Sequence, residues 1–364
     1  MSRTKKIIKW SVITIVILVI SLTAFGYWFM GLIVADKPMY EGITKTRSSD
    51  LTYLINDSVE YRGKILAVVT STAEMGTSGK STGYELTELS RAYYVFMANG
   101  FEVEVASPLG GQPPVVIDDD DVGSYDYAFM NDSAAQYKVN NTLALADITA
   151  SDYAGVYFVG GKGAMFDFPD NASIQNLVRE LYENDKVVGA VCHGPAALVN
   201  VSLSDGKALL ANKTVSSFTN EEELFLIPDA PEIFPFMLQT KLIESGASFQ
   251  EGSLYLENVV TDGNLITGQN PWSTWAVAES MIEVLGYTPK PRTITAEEIS
   301  VAILNMYARL GYEQARQLLA KNLNEGTPIH RELLAVHSII SAMQWKLGTT
   351  IDLIRLLAYA KSKK

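Results

Sequence analysis

One cysteine and three histidines are spread over 364 residues. A lone thiol closes no internal disulfide, so the chain is not a disulfide framework. His330 and His337 lie far down the chain from Cys192, and no CxxC or HExxH spacing occurs. A Cys/His zinc site therefore lacks ligands, and no metal is expected. Positive charge is also scarce: 29 Lys and Arg face 41 Asp and Glu, a formal net charge of −12. Nucleic acid is bound by basic surfaces that neutralise phosphates, so no nucleic-acid partner is expected. The acidic run Asp118–Asp121 lacks the Gly and Glu spacing of an EF-hand loop and reads as a solvated loop. Apolar residues, by contrast, make up 48% of the chain, enough for the core of one large domain or two modest ones.

Arg3, Lys5, Lys6 and Lys9 precede an uncharged, mainly apolar run from Trp10 to Ala35. At about 1.5 Å per helical residue, this run can cross a hydrocarbon core of about 30 Å. It is longer than the apolar region of a cleavable signal peptide and leaves through Leu32-Ile33-Val34-Ala35-Asp36 instead of a small-x-small exit. Residues 1–35 are thus expected to be a cytoplasmic tip and an uncleaved single-pass membrane anchor. Basic residues before the span keep the N-terminus cytoplasmic and place the main domain outside. The polar stretch 36–62 reads as a tether.

From residue 63 the pattern alternates. Strands are expected at 64–71, 101–108, 155–161, 186–192, 214–219 and 264–268, with helices at 84–99, 173–184, 231–245 and 272–286. Gly100 is a C-cap signal. Such alternation predicts an α/β domain over 63–288, a doubly wound parallel sheet with helices on both faces. Beyond 289, Thr295 and Glu298 form a capping box, and Pro328 is read at a first helical position. Residues 289–364 are expected to form three or four short helices, either a bundle packed on the core domain or a module that oligomerises or binds a protein partner.

The most informative stretch is VVGAVCHGP (187–195). An apolar strand runs into Cys192, Ala190 and Gly194 flank it, and Pro195 can begin a helix. This is the layout of a nucleophile elbow, where a tight turn exposes a nucleophile at the carboxyl edge of a sheet. A helix N-terminus beneath the sulfur and the adjacent His193 imidazole would both favour a thiolate. The glycine-rich exit VGGKG (159–163) can aim backbone N–H groups at an oxyanion. Glu85 and Glu88 lie one helical turn apart, and taken singly each reads as a solvated helix glutamate.

These pieces together resemble the PfpI family of the class I glutamine amidotransferase-like superfamily, in particular its glutathione-independent glyoxalase III branch, which includes heat-shock-type chaperones. The resemblance spans about residues 62–288 and rests on TGYELTELSRAYYVFMANGFEVEVASPLGG (82–111), NTLALADI (141–148), DYAGVYFVGGKGAMFDFPDN (152–171), AVCHGPAAL (190–198), SSFTNEEE (216–223) and LITGQNPWS (265–273). It implies a flavodoxin-like sandwich. The family's nucleophile falls on Cys192, its adjacent histidine on His193, and the glutamate that shares a proton with the thiol on Glu88. The oxyanion donors fall on Gly161 and His193, and the acid that orients the histidine on Glu223, or on Glu222 if the register slips by one. Where the branch reads Gly-His-Gly this chain has Gly161-Lys162-Gly163, so Lys162 is the residue expected to contact substrate. Glutamine amidotransferases take their histidine from a later motif, and no His occurs between His193 and His330. The resemblance implies a cysteine-dependent enzyme of glyoxalase III (D-lactate dehydratase) type that takes a small carbonyl substrate and needs no cofactor. A PfpI-type cysteine hydrolase and a non-enzymatic stress chaperone or redox sensor are the alternatives, and a homo-oligomer is compatible with each.

Overall fold

A central parallel strand is covered on both faces and therefore needs an unbroken apolar run. The runs around Leu66 and Ala190 meet that need. In the computed structural model, residues 3–33, 42–118 and 121–362 are described. The chain divides into two units: Gly42–Thr293, and an N-terminal helix α1 (Arg3–Ile33) grouped with the residues from Ile294 onward.

In the first unit, β1 (Gly63–Val68), β2 (Phe101–Ser107), β3 (Leu143–Ala144), β4 (Gly155–Phe158), β5 (Val187–Val191), β6 (Val259–Asp262) and β7 (Leu265–Gly268) build a seven-stranded sheet. Their order is β6-β7-β5-β4-β1-β2-β3, and every neighbouring pair but the β6–β7 hairpin is parallel. Alternate side chains serve opposite cores. Ile65 and Ala67 join Val103, Tyr157 and Val191 on one face, whereas Leu66 and Val68 join Val156, Phe158 and Ala190 on the other. Helix α2 (Leu86–Ala98) covers the first face through Leu89 and Phe96. Helix α3 (Ala172–Glu183) covers the second through Ile174, Leu177, Val178 and Leu181, each contributing about 1.5–3 kcal/mol by leaving water. Two further helices matter below, α4 (Asn220–Leu226) and α5 (Thr274–Val284). The strand order reverses beside β1, which opens the crevice at the carboxyl ends of β1, β4 and β5 where such sheets hold their sites.

Several expectations change in the folded chain. The helix expected from residue 84 begins at Leu86, because Tyr84–Glu85 pair as a short strand with Val115–Val116. Thr214–Val215 leave the main sheet and pair with Ser248–Phe249. The helix expected over 231–245 is two pieces, Ala230–Ile233 and Leu238–Glu244. Pro235 breaks it, forcing Phe234 into an extended conformation (φ −81°, ψ 150°). The expected tether is also corrected. Its residues 36–41 lie outside the described residues, as do 119–120 of the acidic run. From Gly42 onward the segment belongs to the α/β unit: Leu51 and Tyr53 enter its core, and Tyr53 Oη accepts from Asn99 Nδ2 at 3.1 Å.

In the second unit, α1 contains a 25-residue stretch, Lys9–Ile33, long and apolar enough to cross a membrane by length and composition. The tail forms four helices, α6 (Ala296–Leu310), α7 (Tyr312–Asn324), α8 (Arg331–Met343) and α9 (Leu347–Ser362). The capping box is formed: Glu298 N donates to Thr295 Oγ1 at 3.2 Å, and Thr295 N to Glu298 Oε2 at 3.0 Å. Pro328, however, does not open a helix. His330 takes the cap, accepting from Leu333 N through Nδ1, and α8 starts at Arg331. Leu304, Leu319, Leu334, Leu356 and Leu357 are buried. Lys361 Nζ donates to Gly31 O at 2.6 Å, fastening the end of α9 to the end of α1.

Candidate active site

β5 runs out into Cys192, whose φ of +58° lies in the left-handed region. A side chain there costs about 1–2 kcal/mol and persists only when its surroundings hold it. The holding bonds are two: Cys192 N donates to Gly268 O on β7, and Phe218 N donates to Cys192 O, both at 2.9 Å. The turn is thus the elbow expected from sequence. The full helix expected beyond it is absent. In its place stands a five-residue 3₁₀ helix, Gly194–Leu198, too short to lend the sulfur a substantial dipole. The thiol is buried, and burial pushes it well above its ordinary range, with the Glu88 carboxylate adding to the effect and Lys162 opposing it. The dipole expected to favour a thiolate is thus largely missing, and burial disfavours the charged form of the sulfur.

His193 places Nδ1 3.2 Å from Cys192 Sγ and Nε2 2.5 Å from Glu223 Oε2. Glu223 projects from the first turn of α4. Burial alone would raise its carboxyl, but the charge and hydrogen bond of His193 outweigh burial and hold it below the ordinary range. Phe218 lies tilted against the imidazole with ring centroids 4.8 Å apart. The one-residue ambiguity of register is resolved in space. Glu222 turns away, capping α4 through Thr219 and accepting from Tyr255 N at 2.6 Å and Gln269 Nε2 at 2.9 Å.

Glu88, on the first turn of α2, is fully buried. Its Oε2 accepts from Gly160 N at 2.7 Å, and its Oε1 lacks a well-formed hydrogen bond. Burial first, then the neighbouring Glu85 charge, push this carboxyl well above the carboxylate range, whereas its interaction with the Cys192 thiol pulls the other way. A carboxyl so raised holds its proton more tightly than an ordinary glutamate and can trade it with the sulfur.

The glycine-rich exit of β4 abuts this pair. A Cβ on Gly160 would fall 2.5 Å from Glu88 Oε2 and 2.8 Å from His193 N, so no larger residue fits. Gly161 has φ +95°, and a Cβ there would collide with Gly83 O. Among the described residues, no hydrogen bond engages the backbone N–H of Gly161 or of His193. Lys162 is half-buried, makes no ion pair among the described residues, and influences the titration of Cys192, Glu88, Glu85 and Glu223 alike.

Glu85 is not the solvated glutamate that its sequence position suggests. Its Oε1 is buried without a partner, and burial, then Asp121 and Asp118, push the carboxyl up to about 8. The only signal in the sequence is its position three residues before Glu88. Among the described residues, no group of His, Cys, Asp and Glu side chains is disposed to hold a metal ion.

A comparison with protein families matches residues 80–227 to the DJ-1/PfpI family. Among curated proteins, the glutathione-independent glyoxalase hsp3102 of Schizosaccharomyces pombe is 31% identical over 217 residues, covering 57% of this chain and 90% of that one.

The chain belongs to the DJ-1/PfpI family.

Other relatives of this DJ-1/PfpI protein carry similar names. Glyoxalase 3 of Candida albicans is 29% identical over 233 residues, covering 60% of this chain and 97% of the relative. Among solved structures, glyoxalase III from Candida albicans superposes with a TM-score of 0.55 at 28% identity, covering 61% and 97% of the two chains. Rapid Encystment Protein 24 kDa of Francisella tularensis superposes with a TM-score of 0.58 at 33% identity, covering 62% and 99%. The DJ-1/PfpI fold accounts for the flavodoxin-like, mostly parallel sheet.

Proposed function

We propose that the α/β unit is a cysteine-dependent enzyme of glyoxalase III type that converts reactive 2-oxoaldehydes such as methylglyoxal into 2-hydroxy acids. The observation that carries this reading is the buried chain Glu88–Cys192–His193–Glu223, an acid, a thiol and an oriented imidazole in sequence. The relatives' names, glutathione-independent glyoxalase and glyoxalase 3, point to the same class.

In this mechanism the Cys192 sulfur adds to the aldehyde carbon while its proton passes to His193 Nδ1, 3.2 Å away, giving a hemithioacetal. The free N–H groups of Gly161 and His193 receive the developing oxyanion. Glu88 gives its own proton to that oxygen, and the carboxylate so formed takes the proton from the former aldehyde carbon and returns it to the adjacent carbon, while His193, held by Glu223, moves the proton between the two oxygens. The first carbon is oxidised and the second reduced within one molecule. Water then cleaves the thioester, releasing the 2-hydroxy acid and the thiol. The same Cys192–His193–Glu223 chain also suits acyl transfer by a hydrolase.

The test is methylglyoxal loss and lactate formation by the full chain in detergent, with Cys192→Ala beside it. Turnover lost in the variant is the expected result. An unconsumed substrate with intact folded protein overturns the reading, and a Cys192 acyl-enzyme trapped from an amide would favour the hydrolase. We propose further that α1 anchors the chain in a membrane with its N-terminus cytoplasmic, a reading supported by the 25-residue apolar stretch and the basic residues before it. Extraction by detergent but not by high salt or alkali tests the anchor.

A further inference from the structure

Four members of the site cluster, Cys192, His193, Glu88 and Glu223, are buried, whereas Glu85 and Lys162 are partly exposed. Of this cluster, these two residues are the ones that reach the surface. The backbone at Lys162 is fixed on both sides. Gly161 packs on Gly83 and Glu85, and a Cβ on Gly163 would fall 2.7 Å from Thr70 Cγ2 and 2.9 Å from Thr72 O. The ammonium is thus presented from a rigid turn.

Among the described residues no carboxylate forms an ion pair with the Lys162 ammonium, although it acts at longer range on Glu223 and Glu85. The Glu223 carboxylate is committed to His193 at 2.5 Å. Burial disfavours the charged forms of Glu88 and Glu85, the latter pushed up to about 8. Arg91, the neighbouring cation that acts on Glu85, is taken by Asp126 at 3.2 Å. A half-buried ammonium with no direct ion pair among the described residues is costly, and an anionic ligand relieves that cost. Methylglyoxal offers it nothing, since the only charge it develops is an oxyanion within reach of backbone N–H groups.

We propose that the site is built for a 2-oxoaldehyde that itself carries a carboxylate, with Lys162 as the receptor for that second group. The proposal rests on the glyoxalase-type reading and narrows its substrate class. A suitable probe is 4,5-dioxovalerate. Its aldehyde carbon is oxidised to a carboxylate and its ketone carbon reduced to an alcohol, with one water consumed and no external oxidant, giving 2-hydroxyglutarate.

The experiment measures kcat/KM of the full chain in detergent for 4,5-dioxovalerate and for methylglyoxal, with Lys162→Met and Lys162→Arg. The wild type should prefer the anionic substrate by about tenfold or more, the size of one charge-assisted contact. Lys162→Met should remove most of that ratio, chiefly by raising KM for the anionic substrate, and Lys162→Arg should keep most of it. Raised salt should shrink the preference. Equal rates on both substrates, or a ratio unmoved by Lys162→Met, overturn this proposal while leaving the glyoxalase reading standing. Turnover of neither substrate overturns both.

Discussion

Replacing Glu88 with glutamine separates the two things this residue does. Gln keeps the shape, and its amide oxygen can still accept from Gly160 N, which is 2.7 Å from Glu88 Oε2. The buried N–H stays satisfied, so the variant should unfold within about 1 kcal/mol of the wild type. Glu88→Ala, by contrast, orphans that N–H and should cost about 1–3 kcal/mol more. Chemically the Gln variant can neither take nor return a proton, and general acid–base contributions of about 10²–10⁴-fold set the expected loss in kcat/KM. The thiol should move the opposite way. Burial, the largest cause of its raised titration, persists, but the second cause, the Glu88 charge, is gone. Cys192 should therefore titrate lower in Glu88→Gln than in the wild type while staying above an ordinary thiol. Because the chain holds a single cysteine, thiolate absorbance in the ultraviolet reports this site alone. A more acidic thiol in a far slower enzyme is the expected pair of results. A variant that keeps wild-type turnover would refute the assignment of Glu88 as the proton carrier, and a thiol unmoved or shifted upward would refute the coupling.

Glu223→Gln should leave Cys192 in place but lose the charge that orients His193 at 2.5 Å, lowering kcat/KM by about 10²-fold or more, measured on methylglyoxal. Glu85 titrates near 8 in the fold, well above an unfolded carboxyl at about 4.5, so the folded state binds the extra proton between those values. Its contribution to stability is fully present below about pH 4.5 and is lost as pH rises through about 8, and Glu85→Gln should flatten that decline in a series of melting curves. Thr295→Ala removes the cap of α6, whose box bonds are 3.0 and 3.2 Å, and should cost about 1 kcal/mol, read as faster amide exchange in its first turn.

The elbow was legible because its demands are local. A strand that must end in a strained nucleophile needs small neighbours, and Ala190, Gly194 and Pro195 stand beside Cys192 in the chain itself. The alternation of strands and helices was legible for the same reason: each apolar run carries its own period. Where the sequence misled, the deciding partner was distant or the signal was outweighed. Thr214–Val215 has strand chemistry, but which sheet it joins depends on Ser248–Phe249. Leu51 and Tyr53 lie in a polar stretch, and only the fold shows the core that receives them. Glu85 is the sharper case. By sequence it is an ordinary glutamate at the start of a helix. Its titration is set first by burial, then by Asp121 and Asp118, more than thirty residues away, with Lys162, beyond a different strand, opposing them. Glu88, one turn further on, is fully buried beside the Cys192 thiol and accepts from the Gly160 N–H, a contact from the same glycine-rich exit that carries Lys162. The exit of β4 thus fixes the proton carrier through Gly160 and presents a cation through Lys162, two residues apart, so a substitution at either position tests a different half of the same loop.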